Sequence, residues 1–173
     1  MIKTIAILSA VLVTFLATPA RAQHEHGAPS AGQDHSMPAT TGKLLPAPAQ
    51  PVVTQYLKIQ TALAADSVDG VAAAAQAITK ALADDPNKTL PATIGTRAEA
   101  LSKAKNLEVA RAAFKDLSVV LLRYLGSEKI RTGQYHVVYC DMAKANWLQT
   151  DRAIRNPYYG KEMLTCGKII ESF

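Results

Sequence analysis

Asn106-Leu107-Glu108-Val109-Ala110-Arg111-Ala112-Ala113-Phe114-Lys115-Asp116-Leu117-Ser118-Val119-Val120-Leu121-Leu122-Arg123-Tyr124-Leu125-Gly126 decides the fold class. Ala110, Phe114, Leu117, Leu121 and Tyr124 recur at spacings of three and four, which puts them on one face of a helix. Asn106 is a good N-cap, since its side-chain oxygen can accept from a free first-turn N–H. Gly126 marks the stop. Lys115 falls on the opposite side of the wheel and is expected to face solvent.

Working back towards the N-terminus, the same period appears three more times. Val53, Tyr56, Ile59 and Leu63 form one apolar stripe, and Val68, Val71, Ala75, Ile78 and Leu82 form a second. Asp66 or Ser67 caps the latter, and Asp84-Asp85-Pro86 ends it. A third helix starts near Pro91, a favoured first-turn residue, and runs through Ile94, Ala98 and Leu101. Four amphipathic helices with short connections predict a mainly α fold, an antiparallel four-helix bundle. The alanine-rich second helix lets its neighbours approach closely.

Beyond Gly133 the period shortens. Tyr135-His136-Val137-Val138-Tyr139-Cys140 is strand-like, rich in β-branched and aromatic residues. Asn156-Pro157-Tyr158-Tyr159-Gly160 is a loop with turn residues at both ends. Met163-Leu164-Thr165-Cys166-Gly167-Lys168-Ile169-Ile170 fits either a helical turn or a second strand pairing with the first. The expectation is a bundle followed by a short irregular or β C-terminal segment, the whole running over 52–173.

Upstream of the helices, Met1–Ala22 has the three parts of a secretory leader: Lys3, an apolar run from Ile5 to Ala17, and the small-residue end Ala20-Arg21-Ala22. The run is short of the about 20 residues of a membrane span, and no cysteine stands at the cleavage point to carry a lipid. A periplasmic product without a membrane anchor is therefore expected. Residues 23–51, rich in Pro, Gly, Ala, Ser, Thr and His, have little to bury and are expected to form a disordered tail. Removing Lys3 and Arg21 and no acid lowers the +5 balance to +3. The remaining cations are interspersed with acids, without the basic stripe and aromatic platforms that nucleic acid requires.

Two groups of residues have the chemistry of metal ligands. The tail carries His24, His26, His35 and Met37; imidazole suits Cu(II), Zn or Ni, and a thioether suits Cu(I) or Ag(I). The second group is Cys140, Met142, Met163 and Cys166. Residues two apart on a strand share a face, and residues three apart on a helical turn are neighbours. If the two segments meet, four soft sulfurs converge, a composition that selects a soft monovalent ion. The alternative is a Cys140–Cys166 disulfide, worth about 3.5 kcal/mol in the chain-entropy estimate, with both methionines as apolar filler. Outside the cytoplasm two cysteines usually pair. No phosphate loop, haem attachment or Cys-x-x-Cys pair is present, so an enzyme is not expected. Trp147, Tyr158 and Tyr159 read as core or loop anchors.

Val138-Tyr139-Cys140-Asp141-Met142-Ala143, Trp147-Leu148-Gln149, Ile154-Arg155-Asn156-Pro157-Tyr158-Tyr159-Gly160, Met163-Leu164 and Cys166-Gly167 resemble a bacterial domain-of-unknown-function family. The family comprises small exported proteins and extensions on periplasmic adaptor subunits of heavy-metal efflux pumps. The likeness spans about Val52 to the C-terminus, and departs from the family pattern at Asp141, where Pro is frequent. It implies copper or silver resistance, with an efflux adaptor or a metal chaperone as partner. It supplies no ligand set.

Overall fold

The computed structural model describes residues 43–173. The leader, and His24, His26, His35 and Met37, lie outside the described residues. Four helices come first: α1 (Ala49–Ala64), α2 (Val71–Ala83), α3 (Ala92–Ser102) and α4 (Leu107–Ser127). Three strands follow: β1 (His136–Cys140), β2 (Ala145–Gln149) and β3 (Lys168–Ser172), with one 3-10 turn at Gly160–Glu162.

The apolar stripes fold as their spacing requires. Val53, Tyr56, Ile59 and Leu63 are buried on α1, and Phe114, Leu117 and Leu121 on α4. Asn106 caps α4 by accepting from the Val109 N–H at 2.9 Å. The second stripe is shorter than its spacing suggests. Val68 lies outside α2 and is exposed, because the chain turns at Asp66 (φ 61°) and Gly70 (φ 74°) before the helix begins. These left-handed residues let the α1–α2 connection reverse within a few residues. The described end of the 23–51 segment is structured: Lys43 pairs with Ile130 as an isolated parallel bridge, and α1 starts at Ala49, ahead of Val52.

The expectation of a mainly α four-helix bundle with an irregular or β tail is overturned. Residues 136–172 carry a three-stranded antiparallel sheet of order β2-β1-β3, so the fold is helices plus sheet. The helices pack in chain order, and the sheet lies against α4 and α1. Their shared apolar face is thus closed by β2 with Trp147 and Leu148, both fully buried. The Tyr56 hydroxyl ties the two layers together: it meets Ser118 Oγ of α4 at 2.7 Å and accepts from the Leu148 N–H of β2 at 3.2 Å. A buried hydroxyl without partners would cost free energy, and burial raises the Tyr56 pKa far above the tyrosine value.

β2 is the element that makes the difference. Asp141–Lys144 is a tight turn with Lys144 at φ 46°, and it returns the chain so that Val138 faces Trp147 and Cys140 faces Ala145. β3 then pairs on the other side of β1, with a register irregularity at Val137/Val138. Lys115 is not free in solvent. It is half-buried beside this turn and donates to the Ala143 carbonyl at 2.8 Å.

Candidate dithiol site

Cys140 ends the central strand and is fully buried, while Cys166 arrives half-buried from the loop ahead of β3. Gly167 makes the meeting possible. At φ +156° it runs so close to the sheet that a Cβ there would lie 2.8 Å from Trp147 Cη2 and 2.9 Å from Val138 Cγ1. The chain therefore lies flush on the sheet, and Cys166 is delivered to Cys140 with the two sulfurs 2.9 Å apart. Both cysteines are free thiols. This spacing is longer than a disulfide bond of about 2.05 Å and shorter than the about 3.8–4.6 Å that separates two sulfurs each bound at about 2.3 Å to one metal.

The pair is electrostatically uneven. Burial pushes the Cys140 thiol up, but hydrogen bonds outweigh it: the Cys166 thiol, the Ala143 and Met142 backbone N–H groups and the Asn156 amide leave Cys140 below its ordinary value. The Ala143 N–H lies 3.4 Å from Cys140 Sγ. Cys166 moves the other way, because its proton is held against Cys140, with burial and the nearby Asp141 charge adding to the rise. Of the two thiols, Cys140 is the one biased towards ionisation.

The methionines stand differently from the thiols. Met142 belongs to the turn after β1 and is 61% exposed, so the strand rule that pairs residues two apart does not govern it. Met163 is half-buried, and the Met163–Cys166 segment is a turn closed by the Cys166 N–H on the Met163 carbonyl at 2.9 Å. Among the described residues no three His, Cys, Asp or Glu side chains converge. His136 is engaged elsewhere, with Nδ1 2.8 Å from Ser172 Oγ.

A second set of residues holds the loop that carries Cys166. Asn156 is fully buried; its amide N–H donates to the Cys166 carbonyl at 2.8 Å, and its Oδ1 accepts from the Tyr158 N–H at 2.8 Å. Arg111 of α4 donates to the Pro157 carbonyl at 2.9 Å and pairs with Asp66 at 2.6 Å. Asp66 in turn accepts from the Lys161 N–H at 3.1 Å. Trp147 and Tyr158 meet edge to face at 5.8 Å, as anchors rather than a ligand platform. The functional weight of Asn156 and Arg111 escapes periodicity, though the Asn-Pro dipeptide signals a built turn.

Residues 52–133 match the family model described as a protein of unknown function, DUF3347. The DUF3347 match runs from within α1 through α4 and stops short of β1. It therefore includes Asp66 and Arg111, which brace the loop, and leaves out Cys140, Asn156 and Cys166. No curated protein and no solved structure matches the chain. Among the described residues no helix is long and apolar enough to cross a membrane.

Proposed function

We propose that this chain is an exported periplasmic protein that binds a soft monovalent metal, Cu(I) or Ag(I), at the Cys140–Cys166 dithiol. It would serve metal resistance or efflux, with an efflux adaptor or a metal chaperone as the partner receiving the ion. The observation that carries this reading is the meeting of two free thiols at 2.9 Å with hydrogen-bond donors turned on one of them. A thiolate is the ligand form of cysteine, and Cys140 is biased towards it. Two sulfurs without a third hard or borderline donor suit a soft ion of low coordination number better than Zn(II), which takes four ligands. Met142 and Met163 stand beside the two cysteines in the chain as further soft donors, and His24, His26, His35 and Met37 act as an outer collector. The secretory leader and the resemblance of the Cys/Met motif to efflux-linked proteins support the same reading.

The same 2.9 Å separation supports a second reading. In an oxidising compartment the pair closes to a disulfide, and the domain becomes a stapled module that docks on an efflux component without metal.

Methionine substitutions separate ligand from filler. Met142→Leu with Met163→Leu preserves apolar volume at a cost below about 1.5 kcal/mol while removing both thioethers. The expected result is a folded double variant with weaker Cu(I) binding in competition titrations and little change for Zn(II). Unchanged Cu(I) affinity would reject the methionines as ligands and leave a two-thiolate site.

A further inference from the structure

We propose that Asn156 is the positioning residue of the dithiol: its buried amide fixes Cys166 opposite Cys140. Three bonds support the assignment. Nδ2 donates to the Cys166 carbonyl at 2.8 Å, Oδ1 accepts from the Tyr158 N–H at 2.8 Å, and the Asn156 N–H donates to the Leu164 carbonyl at 2.8 Å. One side chain thus closes its own turn and reaches ten residues on to hold the backbone of the second cysteine. No other side chain among the described residues hydrogen-bonds the backbone of Cys166. The same amide also favours the ionised form of Cys140, so it acts on both partners.

Without that bond, the Cys166 backbone keeps only the turn hydrogen bond to Met163 and the close approach of Gly167. The loop ends stay fixed by Arg111 and Asp66 at one side and β3 at the other. The fold should therefore persist while the distribution of sulfur–sulfur distances widens. A widened distribution lowers the effective concentration of one thiol for the other.

The inference rests on the dithiol being the working site, but it is read without metal. The purified reduced mature protein is equilibrated with glutathione disulfide. The Cys140–Cys166 bond forms, two glutathione thiols are released, and both electrons and protons pass to glutathione. Asn156→Ser keeps a short oxygen able to close the local turn and cannot span to Cys166. The equilibrium constant should fall about tenfold, the scale of one buried hydrogen bond. Leu121→Ala, on α4 and outside the hydrogen bonds that hold Cys166, should lose stability yet stay within about twofold of wild type in this equilibrium. An Asn156→Ser constant equal to wild type would overturn the proposal, as would an equal fall in Leu121→Ala. If circular dichroism shows Asn156→Ser unfolded, Asn156→Asp is judged by the same criterion, since it keeps the acceptor and presents oxygen to the Cys166 carbonyl. Absence of Cu(I) binding by wild type would sink the metal reading and leave this equilibrium intact.

Discussion

Gly167 shows how one residue sets the site. Its φ of +156° is rare for L side chains, and a Cβ would press into Trp147 and Val138. Gly167→Ala combines backbone strain with overpacking, for which about 1–3 kcal/mol is typical. Urea denaturation should show that loss, and the variant should form the Cys140–Cys166 disulfide less readily. Wild-type behaviour in both would mean that the flush approach of the chain does not deliver Cys166. Both cysteines were legible as a pair from composition alone. Their partners were not: Asn156 acts through a carbonyl ten residues away, and a contact of that kind leaves no periodic trace in sequence.

The helices were legible element by element because each buries a stripe with a 3.6-residue period against the same core. Leu121 is fully buried on α4, and Leu121→Ala should cost about 2–5 kcal/mol in thermal or urea unfolding. A cost near zero would misplace that helix face. Lys115 teaches the opposite lesson. On the wheel it points away from the helical core, yet the sheet occupies that side and its ammonium donates to the Ala143 carbonyl. The strand that changed the fold class, β2, was hidden for a physical reason. Ala145-Asn146-Trp147-Leu148-Gln149 has no alternation, since Trp147, Leu148 and Gln149 are all buried. Gln149 satisfies its burial through Trp147 Nε1 and the Arg155 N–H, so a polar residue sits inside without breaking the core. The C-terminal segment from Met163 divides: Met163–Cys166 is a turn, and the strand β3 begins at Lys168.

For the molecule as a whole, Asp66 and Arg111 link the helical part to the loop that carries Cys166. The Arg111 hydrogen bond, then the Lys161 N–H, holds the Asp66 carboxyl below its ordinary value of 3.8. A depressed folded-state pKa stabilises the fold above the unfolded value, and that contribution is lost as pH falls through the folded one. The stability gap between wild type and Asp66→Asn should stay constant from neutrality to about pH 4 and narrow below it. Urea midpoints across that range check the sign, and a gap that widens in acid would contradict it. The proposed export and metal service also belong to this scale, and the dithiol is where that proposal meets chemistry. The thiol protons must leave when a metal binds, so Cu(I) affinity should rise with pH.

Native mass spectrometry of the mature protein, reduced and then exposed to Cu(I), Ag(I) and Zn(II), tests the central claim most directly. The account predicts two free thiols before addition, one Cu(I) or Ag(I) retained afterwards, and loss of that ion in Cys140→Ser with the histidine tail intact. A two-proton mass deficit that persists in the protein as isolated, with no ion retained after reduction, would contradict it and leave the disulfide-stapled docking module.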